Sequence, residues 1–329
     1  DQPRSSHHRE ISEPTGESDL YLQNQRSLLD AEAGLRCQTM RRLRQAMQNK
    51  RCAVVIALYG PMPRGLGDRL QDFHSAGLLV VVVNNNTEVN PTCTSSDLFW
   101  LENGNNGGLA GGLNRGVAHA LQCGCELITL LDQDSELNAI TVSALQLQVE
   151  QQPNLIVGPA IWDVERQRWH TPPQGQPRLL ITSGTTFNAG TWRLVGPYHD
   201  WMEIDYIDHE WCCRASRLGL RLQVLEAREL PLKQHFGQRH PNPLAHRLGI
   251  QLYSPYRRAV ALRNLRWLVQ QNHVPLDIRF KEVMKMMLKP WCWLALEPAP
   301  AITLRYLWAG LQAPLGKPFP RATLKEAKL

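Results

Sequence analysis

Two aspartates stand two residues apart at the end of the apolar run Leu127-Ile128-Thr129-Leu130-Leu131, and no other pair in the sequence is better placed to do chemistry. Side chains on an extended chain alternate faces, so Asp132 and Asp134 project to the same side. Carboxylates at the carboxyl end of a buried strand lie where open α/β sheets bind ligands. Two hard oxygen donors there suit Mg²⁺ or Mn²⁺, which bridges phosphates while keeping some of its waters. A solvated acidic turn ahead of a helix is the other reading of a lone D-x-D, and the rest of the chain decides between them.

A second acidic cluster runs Glu203-Ile204-Asp205-Tyr206-Ile207-Asp208-His209-Glu210-Trp211 and opens a helix that continues through Arg214 to about Leu218. Acids at a helix N-terminus are favoured by capping and by the helix dipole. Four acids in eight residues exceed what a cap needs. The loop Asn103-Gly104-Asn105-Asn106-Gly107-Gly108 opens another helix and has two readings, a phosphate cradle or close packing of helix on strand. It is not a Walker loop, because no G-K-[ST] follows. Nor is it the dinucleotide fingerprint, since no two of its glycines are spaced as G-x-G. No Ser/His/Asp arrangement stands out. The eight cysteines form no C-x-x-C pair and read as reduced core residues, which fits a cytosolic chain.

The elements that must position these residues alternate. Ala53–Leu58, Leu78–Val83, Leu98–Leu101, the Asp132 strand, Asn154–Gly158 and Arg221–Leu225 read as strands. Helices over Leu66–Ser75, Leu109–Gln122 and Ala139–Glu150 lie among them. This order predicts a doubly wound, mostly parallel sheet. Residues 183–192 read as a turn-rich entry to a short helix. At 329 residues the chain can bury a full core together with a helical annex. Four regions follow: a polar, disordered tail over 1–24, a helical segment over 25–50, an α/β domain over 51–240, and a basic helical region over 241–329.

Charge is unevenly placed. Residues 231–329 hold 16 Lys/Arg against 4 Asp/Glu, whereas the first 230 hold 20 against 26. A basic tail on an acidic body points to an anionic surface partner. Lys281, Lys285 and Lys289 fall four apart on one side of a helix, with Trp291, Trp293 and Trp308 following. Lysine on one face with tryptophan near another is how a helix lies in a membrane interface. No nucleic-acid motif accompanies the charge. No secretory leader is read, and the apolar C-terminal stretch is broken by Glu297, Arg305 and prolines, so no spanning helix is expected.

With these pieces aligned, the chain resembles the inverting family-2 glycosyltransferases of GT-A fold, and within them the bacterial rhamnosyltransferases of O-antigen and polysaccharide synthesis. Four segments carry the resemblance over roughly residues 52–270. They are Asp132-Gln133-Asp134-Ser135, the stretch from Asn105 through Ala110 and Asn114 to Gly116, Ile204 through Arg214, and His235-Phe236-Gly237. The third, close to I-D-Y-V-D-x-E-W-C-x-R, is the most specific. The resemblance implies that Asp132 meets the nucleotide ribose and that Asp134 holds a divalent cation, Mg²⁺ or Mn²⁺, on the diphosphate. It implies that Asp208 is the catalytic base. Tyr59, Pro61 and Asn84 fall where the family contacts the nucleobase, with Asn84 standing where Asp is usual. Asn114 joins the nucleotide-sugar site, Glu210 and Trp211 the acceptor side, and His235 the metal or diphosphate. The donor implied is dTDP-L-rhamnose, the acceptor a glycan or lipid-linked glycan, and the location cytoplasmic, peripheral on the inner face of the cell membrane.

Two rival classes share features of the sequence. Haloacid-dehalogenase-type phosphatases also place D-x-D after an apolar strand. Here Glu136 follows Ser135 and no G-D-x-x-x-D comes later. A non-catalytic carbohydrate- or lipid-binding module of the same fold would not need Asp132, Asp134 and Asp208 together.

Overall fold

The computed structural model describes residues 50–86, 97–171, 176–225, 231–234, 242, 253–296 and 299–320, together with Gln38 and Gln45. The expected tail over 1–24 lies outside the described residues, as does nearly all of the helical segment expected over 25–50. His235 is outside them too.

The first half is built on fully buried strands. β1 (Cys52–Leu58), β2 (Leu79–Asn84) and β4 (Leu127–Asp132) are apolar almost throughout, as strands covered on both faces must be. Alternate residues feed opposite layers. Ala53, Val55 and Ala57 pack with Leu113, Val117 and Ala120 of α2 (Gly108–Gln122). Val54, Ile56 and Leu58 pack with Leu70 and Phe73 of α1 (Leu66–Ser75) and with Val142 and Leu145 of α3 (Ala139–Gln151). Fully burying one such side chain contributes about 1.5–3 kcal/mol, so the central strands anchor whatever sits at their ends.

The sheet has seven strands in the order β3-β2-β1-β4-β8-β5-β9, with β3 at Leu98–Glu102, β5 at Leu155–Gly158, β8 at Thr186–Asn188 and β9 at Arg221–Val224. All pairings are parallel except those of β8, which runs antiparallel to both β4 and β5. The doubly wound, mostly parallel α/β expectation is thus borne out. The turn-rich reading of 183–192 missed β8, whose three residues carry no periodicity of their own. Its place is fixed across the sheet, where buried Thr186 Oγ1 meets Thr129 Oγ1 at 2.9 Å. α4 (Ala189–Val195) follows directly. A second, three-stranded sheet, β10-β6-β7, joins Leu232–Gln234, Ile161–Asp163 and Arg168–Thr171.

α5 (Ile207–Arg217) packs under the main sheet. Three C-terminal helices, α6 (Pro255–Leu268), α7 (Leu276–Leu296) and α8 (Pro300–Gln312), form small cores of their own that reach Ile204 and Tyr206. Ser254 caps α6 by accepting from the Arg257 N–H, with Pro255 in the first turn, as the sequence signature demands.

Candidate active site

A cavity of about 690 Å³ lies between the carboxyl ends of the central strands and helices α6 and α7. It is the place where open α/β sheets hold ligands. Tyr59, Asp132, Asp134 and Asp208 all line it.

β4 ends at Asp132, and Gln133 and Asp134 lie in the turn that follows, so strict strand alternation does not reach Asp134. The turn is pinned from a distance instead. The Asp132 N–H donates to Ser183 Oγ at 3.3 Å, Ser135 Oγ meets Ser183 Oγ, and Ser135 Oγ donates to Gln234 Oε1 at 3.1 Å. Gln234 Nε2 donates in turn to Asp134 Oδ1 at 3.4 Å. Gln133 turns away and grips the backbone of Tyr59, accepting from its N–H at 2.6 Å and donating to its carbonyl at 2.9 Å. The middle residue of the motif therefore holds the Tyr59 loop against the aspartates. Burial pushes the Asp132 carboxyl up to about 7, with the charges of Asp134 and Asp208 adding to the effect.

Asp208 reaches the cavity from the first turn of α5, after a loop under strain. Glu203, Asp205 and Tyr206 have φ of 63°, 59° and 63°, and none is glycine. Such residues cost about 1–3 kcal/mol each and persist where surroundings over-determine them. Here α6 does so. Buried Asn264 donates through Nδ2 to the carbonyls of Met202, Ile204 and Asp205 at 2.8, 2.8 and 3.0 Å. Arg257 clasps Asp205 with two bonds of 2.9 Å. Tyr256 OH donates to Glu203 Oε2 at 2.8 Å, and the Phe319 N–H to its Oε1 at 3.1 Å. None of these partners is signalled by local spacing.

The same loop decides the role of the glycines opening α2. A Cβ on Gly108, whose φ is +59°, would lie 2.8 Å from the Glu203 carbonyl oxygen, and the Ala110 N–H already donates to that oxygen at 3.1 Å. Close packing accounts for this glycine, because the amide a phosphate would use is spent on protein.

Other expected residues sit elsewhere. Pro61 is exposed and is not part of the cavity lining. Asn84 is buried behind the Tyr59-Gly60 loop. Its Oδ1 accepts from Asn86 N–H and Nδ2 at 3.1 and 2.8 Å, and its Nδ2 donates to Glu102 Oε2 at 2.9 Å. Asn86 passes the hold on to Gly60, accepting from its N–H at 2.6 Å. Asn114 clamps the backbone of Tyr198 through both ends of its amide, at 2.8 and 2.9 Å. Trp211 lies inside an aromatic cluster with Phe187, Trp192 and Tyr198 and donates from Nε1 to the Gly196 carbonyl at 2.9 Å. Glu210 is fully buried in a bidentate pair with Arg214, at 2.9 and 2.7 Å, with His273 Nε2 at 3.1 Å.

The second wall of the cavity was not read from the sequence. α6 and α7 bring Arg257, Arg258, Lys285, Lys289 and Trp293 to it, with the Arg258 guanidinium 4.6 Å from the centre of the Trp293 ring. The lysine row is thus divided. Lys281 is exposed, whereas Lys285 and Lys289 line the cavity.

No family model matches the chain. Over 257 residues, 72% of this chain and 86% of the relative, the sequence is 26% identical to the dTDP-rhamnosyl transferase RfbF of Shigella flexneri. Among solved structures, GalNAc-T7 with UDP, GalNAc and Mn²⁺ superposes with a TM-score of 0.49 at 12% identity, over 67% of this chain and 48% of that one. S. aureus TarS 1–349 with UDP-GlcNAc superposes with a TM-score of 0.44 at 13% identity, over 67% and 66%. The chain thus spans about half the length of the first of these structures. The resemblance carried by the motifs is borne out by the curated relative: the chain is similar, over most of both sequences, to a rhamnosyl transferase.

Proposed function

We propose that the protein is an inverting glycosyltransferase that moves a sugar from a nucleoside diphosphate, L-rhamnose from dTDP-L-rhamnose, to a hydroxyl of a glycan or lipid-linked glycan. One observation carries this reading. The paired carboxylates at the end of β4 and a third from the start of α5 open into one cavity large enough for a nucleotide sugar.

The carboxylates fit a divalent cation. Burial pushes Asp132 up to about 7 and the charges of Asp134 and Asp208 add to it, a penalty that a bound cation relieves. Among the described residues no group of three ligating side chains is gathered. Mg²⁺ is commonly held by one or two carboxylates with substrate phosphates and water completing its shell. Asp134 is the residue to hold it; His235, the second expected ligand, lies outside the described residues. When bound, the cation neutralises charge building on the leaving diphosphate.

The rest falls to side chains of this chain. Asp132 receives the ribose, and Tyr59, held out over the cavity by Gln133, offers its ring to the base. Asp208 takes the acceptor proton as the acceptor oxygen attacks, and one displacement inverts the anomeric centre. His209 and two N–H donors hold Asp208 below the usual carboxylate range against the opposing pull of burial, so the base is ionised at neutral pH.

Association with an anionic membrane surface belongs to the same reading. Phe280, Met284, Met287, Leu288 and Trp291 recur along one side of α7, all exposed, beside exposed Lys281. Among the described residues no helix is long and apolar enough to cross a membrane. An apolar helix face with basic flanks suits a position in the interface. Release of dTDP from dTDP-L-rhamnose, with and without EDTA, tests the catalytic reading. Undiminished release in EDTA would count against the cation.

A further inference from the structure

His209 stands between Asp208 and the C-terminal helices. Its backbone N–H and its ring Nδ1 both lie on Asp208 Oδ1, at 2.8 and 2.9 Å. A carboxylate oxygen only accepts, so Nδ1 carries a hydrogen. Across the ring, Nε2 faces Glu282 Oε1 of α7 at 4.0 Å. A bare lone pair there would oppose the carboxylate, so both nitrogens are suited to carry hydrogens. Tyr206 packs edge-on against the ring with centroids 5.2 Å apart, and its hydroxyl donates to Glu282 Oε2 at 3.4 Å. Glu282 is buried, and Lys285 Nζ lies 2.6 Å from its Oε1. With both ring nitrogens protonated, charge alternates from Asp208 through the ring to Glu282 and Lys285, from the cavity floor into α7.

We propose that His209 is a positioning residue for Asp208, held as an imidazolium between Asp208 and Glu282, so that α7 belongs to the machinery that presents the base to the acceptor. This rests on Asp208 being the base. Both His209 donors occupy Oδ1, which leaves Oδ2 to face the acceptor hydroxyl. As the acceptor oxygen bonds to the anomeric carbon, its proton passes to Oδ2. The bond from that carbon to the diphosphate breaks, and the electron pair leaves on the nucleoside diphosphate. The adjacent positive charge lowers the basicity of Asp208 but keeps it ionised and fixed in one rotamer, which suits a base that acts only as the glycosyl bond breaks.

The charged groups facing the ring are Asp208 on its own helix and Glu282 and Lys285 on α7. Asp132 of β4 faces Asp208 in turn, while Arg257 of α6 is taken up by Asp205. Burial alone would push the imidazole down. Asp208, by charge and hydrogen bond, and Glu282 outweigh it and hold the ring above its ordinary value.

The test is an NMR titration of the histidine rings in the full chain, with the His209 signal assigned by its loss in His209→Ala. The wild-type ring is expected to titrate above 6.5, and Glu282→Gln is expected to lower that value. In turnover, His209→Ala should lower kcat about 10–100-fold while the donor KM changes less than about threefold. The acid limb of its kcat–pH profile should move upward. His209→Asn, which can return a donor to Oδ1 without the charge, should recover part of kcat but not the limb. A wild-type ring titrating below 6.5, or one unmoved by Glu282→Gln, overturns the proposal. So does a kcat unaffected by His209→Ala. The titration needs no turnover, so a chain that transfers no sugar at all is recognised separately as a failure of the transferase reading.

Discussion

The sheet wall of the cavity and its helical wall differ in what holds them and in the charge they bring. On the sheet side, apolar strands are buried on both faces, β4 ends in Asp132 with Asp134 in the turn beyond, and local pattern accounts for the strands themselves. On the helical side, α6 inserts Arg257, Arg263 and Asn264 beneath a strained loop, and α7 presents Lys285 and Lys289. The first wall is fixed by burial of apolar area, which is forgiving of small changes. The second is fixed by buried polar bonds, which are costly when half-broken. Carboxylates placed by one kind of force are thus oriented by the other.

The sharpest way to break the comparison is at the sheet wall itself. Asp134→Asn is expected to reduce turnover by about 10³-fold or more, as is EDTA, because cation charge at the leaving group is lost. Asp208→Asn is expected to lower kcat by about 10²–10⁴ with nucleotide-sugar affinity nearly unchanged. A rise in KM alone would make Asp208 a binding or capping residue.

Changes at the helical wall should act through stability. Asn264→Leu takes the donor from the Ile204 and Asp205 carbonyls and the acceptor from Arg263 Nε in the interior, and denaturant melts should show a loss of about 2–4 kcal/mol. Gly108→Ala strains a positive φ and drives a methyl group against Glu203. We expect a loss of about 1–3 kcal/mol, together with reduced kcat as the loop before Asp208 shifts. The smallest effect belongs to the outer face of α7. Lys281→Glu should weaken binding to phosphatidylglycerol vesicles by about 1–2 kcal/mol in low salt without altering turnover of a soluble acceptor. A chain that ignores such vesicles even at low salt would remove the membrane from the account.

The two walls also differ in how far they could be read. β1, β2, β4 and α2 are legible because continuous apolar runs of strand length and a glycine-opened helix are local signals, and Asp132 and Asp134 follow from where β4 must end. Asn84 shows the limit. Its position in sequence points to the base, yet its amide is spent on Asn86 and Glu102, which only the folded loop reveals. Ser183 and Gln234, which pin the aspartate turn, lie 48 and 99 residues from Ser135. Glu282 lies 76 residues from Tyr206. No spacing rule reaches across such separations. The row of lysines on α7 was legible as a row, but which members face the cavity depends on how α7 lies against α6.

The most direct test of the central claim, that the cavity holds a nucleotide sugar through a cation on Asp134 in the turn after β4, is thermal unfolding of the chain against a panel of nucleoside diphosphate sugars with Mg²⁺ or Mn²⁺. At a hundredfold excess over Kd, a bound donor stabilises by about 2.7 kcal/mol, a shift of a few degrees. The account predicts the largest shift with dTDP-L-rhamnose, present with cation, lost in EDTA and lost in Asp134→Asn. A preference for a UDP-sugar would overturn the choice of donor; no shift with any member, or an equal shift in EDTA, would contradict the claim itself.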